Sequence, residues 1–200
     1  QYAGRPTTVQ LHLYRQADGE STWEEVTGAM PVWYRNSDDT WSFVYERISR
    51  TNASGAEYRY KVEEEVPKDY RVSYSKDSDG NQVLLENVGD GSLTLTKEVT
   101  GSGGEQFREF HFTITVGTLP DGSKLPDGVY GEESFRDGKA AITLKSGESV
   151  RADHLPGMVS YTVTEEEANL DRYRTTSEAD QGVIQPFAVT EVKFTNSRTS

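Results

Sequence analysis

Cysteine is absent from the 200 residues, which excludes a disulfide framework and every thiolate metal site. No run of about 18 apolar residues occurs, and neither a secretory leader nor a C-terminal sorting signal is legible. The chain is therefore expected to be an internal or matured piece of a longer polypeptide, with no membrane partner. Lysine and arginine never cluster, and 33 Asp and Glu outnumber the 21 basic residues, giving a formal net charge of -12. That balance excludes a nucleic-acid footprint and attraction to an anionic membrane; it reads as solubility. His12, His111 and His154 share no motif spacing, so no metal site, histidine-based catalytic centre or cofactor is expected.

Helical periodicity beyond two turns is also lacking, while period-two alternation runs throughout. Aromatic residues are plentiful, with 11 Tyr, 7 Phe and 3 Trp beside a modest apolar fraction of 34%. That mixture suits thin β-sandwiches better than a thick helical core. In the first half, strands are expected in "TVQLHLYRQ", "TWSFVYERI", "AEYRYKVEEEV", "DYRVSYSK" and "NQVLLENV". The "DSDG" between the last two reads as a tight turn; Asp77, Asp79 and Asn81 there lack the closing Glu of a calcium loop. "GDG" breaks the pattern, which divides the chain into domains 1–89 and 90–200. The second half continues in "SLTLTKEV", "EFHFTITVG", "KAAITLKSGES", "GMVSYTVTEEE", "DRYRTTSEAD" and "FAVTEVKFTN", with one helical turn conceivable over 165–171. Short strands without crossover helices predict an all-β chain of antiparallel sandwiches.

The stretch "YTVTEEE" echoes "YKVEEEV" about one hundred residues earlier, which favours two domains of like design. Residues two apart in a strand share a face, so Tyr161 and Val163 carry Glu165 with them towards the core. The same phase joins Leu93, Leu95 and Val99 to Lys97, and Val192 and Phe194 to Asn196. An amine, a carboxyl and a carboxamide on three strands of one domain thus aim inward. Three buried polar groups without partners would consume much of a domain's stability of about 5 to 15 kcal/mol. Either all three sit at strand ends and reach water, or they meet, as a buried Lys-Glu pair with a hydrogen-bonded Asn or as something more.

At these residues the sequence resembles the B-type domains of the collagen adhesin family (Cna B) and the related backbone-pilin domains of Gram-positive cell-surface proteins. The first domain carries the resemblance in "GRPTTVQLHLY", "WSFVYERI", "GAEYRYKVEEEVPKDY" and "LLEN"; the second in "GSLTLTKEV", "FHFTITV", "LPGMVSYTVTEEE" and "VKFTN". The resemblance implies two tandem immunoglobulin-like antiparallel β-sandwiches. It also implies a spontaneous isopeptide crosslink from Lys97 to Asn196, with Glu165 as proton relay. Burial disfavours the charged forms of amine and acid alike, so a neutral amine can face a protonated carboxyl, and folding supplies the proximity. Such a domain modifies itself once and is not an enzyme in the usual sense. In the first domain Glu64 and Asn87 match the pattern, but the family's lysine lies upstream of "GRP". Lys61 has the phase opposite to Glu64. Domain 1 therefore reads as lacking its first strand, with Glu64 and Asn87 a remnant site and no internal crosslink; an open seam of that kind could take a strand in trans.

The function this implies is a structural stalk or pilus-shaft segment of an extracellular, cell-wall-anchored adhesin or pilin. Its partners would be neighbouring domains of the same protein, other pilin subunits or a host ligand. The alternative is a glycan or host-protein binding module that stacks its ligand on Trp33 and Tyr34, beside a loop, with Trp41 expected to be structural. A glycosidase built on the acidic runs at 63–65 and 165–167 is excluded, because adjacent strand residues point to opposite faces and cannot flank one bond.

Overall fold

The computed structural model describes residues 9–37, 41–76, 78 and 82–200. The expected turn over 77–80, with Asp77, Asp79 and Asn81, lies outside the described residues, as do residues 1–8, where the first-domain resemblance begins. Among the described residues there is no helix; the turns after Glu165 close through Leu170 N–H to Glu167 O, 3.0 Å. The chain forms two compact units. The first holds the described residues up to Lys68 together with Val72–Glu86; the second holds Asp69–Arg71 and Asn87–Ser200.

The first unit is built from β1 (Leu11–Ala17), β2 (Glu24–Glu25), β3 (Val32–Arg35), β4 (Trp41–Val44) and β5 (Tyr58–Glu64). β6 (Tyr70–Lys76) and β7 (Gln82–Gly89) follow as a two-stranded pair. β1 is the centre of a three-stranded antiparallel sheet in the order β2-β1-β5, with Leu11 opposite Glu64 and Ala17 opposite Tyr58. β3 and β4 form a separate hairpin, with Trp33 opposite Phe43 and Arg35 opposite Trp41. Trp33 and Tyr34 therefore lie within a strand, not merely beside a loop. Trp41, expected to be structural, is 58% exposed.

The second unit comprises β8 (Gly91–Thr100), β9 (Phe110–Val116), β10 (Gly128–Tyr130), β11 (Glu133–Phe135), β12 (Lys139–Leu144) and β13 (Ser149–Leu155). β14 (Ser160–Glu165), β15 (Arg174–Glu178), β16 (Gln181–Val183) and β17 (Val189–Ser197) complete it. One four-stranded sheet runs β12-β9-β14-β16 and the other β13-β8-β17-β15. Burial alternates strictly along β8, β12 and β14, the signature of strands with one face on a core. Leu93, Leu95, Phe110, Phe112, Ile114, Val163, Val192 and Phe194 meet between the sheets, each contributing about 1.5 to 3 kcal/mol on burial. One pairing departs from the antiparallel expectation. β17 returns beside β8 in parallel, with Val192 opposite Leu95 and Phe194 opposite Lys97.

Candidate functional site

The parallel pairing brings Lys97 and Asn196 together. Asn196 is in register with Val99, so Lys97 and Asn196 are diagonal neighbours on the same inward face. With strands about 4.8 Å apart and about 3.3 Å per residue, their Cα atoms are separated by about 8 Å, a gap that a lysine side chain spans. Glu165 arrives from the other sheet at the last position of β14, opposite Phe112 of β9. Lys97 and Asn196 are 0% exposed and Glu165 7%; none of the three escapes to water at a strand end.

Glu165 links the other two. Lys97 Nζ donates to Glu165 Oε2 at 2.9 Å, and Asn196 Nδ2 donates to the other carboxylate oxygen. Asn196 Oδ1 is buried and has no hydrogen-bond partner among the described residues. The amine lies over the face of Phe110, 4.2 Å from the ring centroid, and 5.7 Å from that of Phe112. Phe194 meets Phe112 edge-on at 5.3 Å, as does Tyr173 with Phe110 at 5.7 Å. In this apolar cage burial pulls the Lys97 amine below the ordinary lysine value, opposed by the hydrogen bond and charge of Glu165. Desolvation wins because no water reaches the ammonium to repay its lost hydration.

The caging rings were not singled out from the sequence, although the alternation in "FHFTITV" puts Phe110, Phe112 and Ile114 on one face. On the opposite face of the same strand, His111 pairs with Glu167, Nδ1 to Oε1 2.6 Å, and its N–H donates to Glu167 Oε2 at 2.9 Å. His111, Glu166 and Glu167 bring ligand-type atoms within 4.8 Å of one another, a cluster that spacing hides because five strands, β10 to β14, intervene.

In the first unit Glu64 is 8% exposed, with its N–H donating to the Tyr74 hydroxyl at 3.1 Å. Asn87 is half-buried on β7 and belongs to the second unit. Lys61 turns to the face opposite Glu64, pairs with Glu63 at 2.7 Å and lies over the Tyr14 and Trp23 rings. Trp33 and Tyr34, adjacent in β3, point to opposite faces and cannot stack on one ligand. Trp33 instead shares a face with Phe43 at 5.4 Å and Trp41 at 6.5 Å between ring centroids.

A family model described as "Cna protein B-type domain" matches residues 1–87, and one described as "Domain of unknown function (DUF7601)" matches residues 91–198. A curated pilin of Streptococcus pyogenes serotype M1 is 29% identical over 121 residues, 54% of this chain and 35% of that protein. The pilus tip adhesin Cpa of S. pyogenes is 42% identical over 77 residues, 36% of this chain and 11% of that one. The chain thus spans about a third of the first relative and about a tenth of the second. Among solved structures, the S. pyogenes major pilin is 20% identical, with 96% of this chain and 92% of that chain covered and a TM-score of 0.48. The chain belongs to the DUF7601 family through its second domain, which follows a Cna B-type domain, and is made of Cna B-like pilin domains.

Proposed function

We propose that residues 90–200 crosslink themselves through Lys97 and Asn196, and that the chain is a stalk or shaft segment of a pilin or adhesin on a Gram-positive cell surface. The observation that carries this reading is the meeting of three wholly buried groups of complementary chemistry inside an aromatic cage. Burial favours the neutral form of the Lys97 amine, and Glu165, its hydrogen-bond partner, is the group placed to take the proton it gives up. Turning the Asn196 carboxamide over sets its unpartnered Oδ1 against that carboxyl, which then donates to it and polarises the carbonyl. The Nζ lone pair attacks Cγ. As Nζ adds, the carboxyl passes its proton to Oδ1; the resulting carboxylate takes a proton from the attacking nitrogen and hands it to Nδ2, the Cγ–Nδ2 bond breaks as the carbonyl re-forms and returns its proton to Glu165, and ammonia leaves. No oxidant, cofactor or second turnover is involved.

The link would carry load. Tension entering at Gly91 and leaving after Ser197 would pass from β8 to β17 through a covalent bond, and the strands between would be spared. Intact mass spectrometry tests the reading: the protein should be lighter than its calculated mass by one ammonia. Glu165→Ala should restore the calculated mass and cost about 3 to 5 kcal/mol, since it strands a buried amine. A wild-type protein of full mass refutes the crosslink.

A second reading, host-ligand or glycan binding, is supported by one observation. Trp33, Phe43 and Trp41 share one face of the β3–β4 hairpin, and both tryptophans are exposed, 37% and 58%. Loss of glycan-array or pull-down binding in Trp33→Ala with retention in Tyr34→Ala would support it; no binding by wild type would end it.

A further inference from the structure

Four side chains outside the Lys97, Glu165 and Asn196 triad close the end of the second unit where the triad lies. Tyr173 is 4% exposed, and its ring meets Phe110, whose face bears the Lys97 amine, in a T-shaped contact. The Tyr173 hydroxyl is held twice by Glu105: it accepts the Glu105 N–H at 2.9 Å and donates to Glu105 Oε2 at 3.2 Å. The same Oε2 accepts from Arg108 Nη1 and from Arg198 Nη1, each at 3.2 Å. Both guanidinium groups sit 5.6 Å from the Tyr173 ring centroid. Arg108 also pairs with Asp171 at 2.6 Å. Reciprocal bonds between Asn169 and Thr175, 2.9 and 3.0 Å, clasp the loop that carries Tyr173.

Three separate segments therefore converge: the β8–β9 loop with Glu105 and Arg108, the β14–β15 loop with Tyr173, and the chain leaving β17 with Arg198. Arg198 lies two residues past Asn196. It reaches Glu105 with β17 docked in the register that delivers Asn196, so closure and delivery occur in the same arrangement. A desolvated amine reacts only while water is kept out and its ring support does not shift. A displacement of about 1 Å at a reacting centre can cost about 10^2-fold in rate.

We propose that Glu105, Arg108, Tyr173 and Arg198 form a plug that sets the speed of Lys97–Asn196 joining, by fixing Phe110 against the amine and sealing the chamber. The plug rests on the crosslinking reading above, and Tyr173 is a positioning residue in it.

The test follows the full chain during cell-free synthesis, sampling intact mass for the loss of ammonia over time. Tyr173→Leu and Arg198→Ala should each slow the loss, Tyr173→Leu by about 10^2-fold, while Tyr173→Phe, which keeps the ring contact with Phe110, recovers most of the rate. Tyr130→Leu is the control for general destabilisation. It removes another buried ring, on the β10–β11 hairpin, packed on Phe135 at 5.5 Å, and should crosslink at the wild-type rate. Wild-type rates in both Tyr173→Leu and Arg198→Ala, or equal slowing in Tyr130→Leu, overturn the plug and leave the crosslink standing. A wild-type chain that never loses ammonia overturns the crosslink and the plug with it.

Discussion

Replacing Lys97 by Met and Glu165 by Gln in one protein gives opposite results according to whether the two strands are covalently joined. A Lys97–Asn196 bond closes a loop of about 100 residues, and by analogy with a disulfide its removal frees the unfolded chain by about 5 kcal/mol. For a domain of this size one kcal/mol corresponds to about 4 °C, so the second domain's Tm should fall by about 20 °C. An unreacted ion pair predicts the reverse. Lys97 and Glu165 have fully buried side chains at 2.9 Å, and exchanging such a pair for neutral side chains of like volume is commonly neutral or stabilising by about 1 to 4 kcal/mol. Met fills the lysine's space, so no cavity opens, and Gln keeps the acceptor for Asn196 Nδ2, so that hydrogen bond survives. Differential scanning calorimetry of both proteins at pH 7, with intact mass measured on the same samples, decides between them. A double variant that melts at or above the wild-type temperature refutes the reasoning.

Gly101 leaves β8 at φ +87°, and a Cβ there would lie 2.2 Å from the Arg198 carbonyl oxygen. Gly101→Ala should therefore destabilise the second unit by well over the ~1 kcal/mol of an ordinary glycine replacement, read as a lower denaturant midpoint at unchanged m-value. The His111–Glu167 pair should make stability pH-dependent. Its hydrogen bond to Glu167 raises His111 above 6.5. Burial pushes the Glu167 carboxyl up, but hydrogen bonds from the His111 ring and N–H outweigh this and hold it below 4.5. The histidine's contribution is full below about pH 6.5 and fades as pH rises through its elevated value; the carboxylate's is full above about pH 4.5 and fades as pH falls. The Tm gap between wild type and His111→Gln should thus peak between those limits and narrow towards pH 8; a gap that widens there contradicts the pairing.

Lys97, Glu165 and Asn196 were legible in the sequence because each sits in phase with at least two apolar residues of its own strand, and a period of two needs only local information. Phe110 and Phe112 obey the same alternation, yet nothing in the order of residues says which rings of the core stand beside which amine. That depends on how the sheets face one another. The parallel return of β17 is hidden for a like reason: pairing direction is set by topology, and the two strands are separated by nearly the whole unit. Tyr173 fell within the expected strand "DRYRTTSEAD" but precedes β15, where no alternation of apolar residues marks a buried side, and Arg198 lies just past β17. On β3, alternation should have separated Trp33 from Tyr34 at once, since neighbours in a strand diverge. Short strands such as β2, β10 and β16, two or three residues each, hold too little pattern to register at all.

Because β8 and β17 point the same way, the second unit is entered at one pole and left at the other. A hairpin-like return would have brought both ends to the same pole. Ten residues of β8 at about 3.3 Å each set a stride of about 33 Å. The chain that enters at Gly91 thus leaves β17 at Ser197 displaced by nearly the strand's own length, not folded back on its entry point.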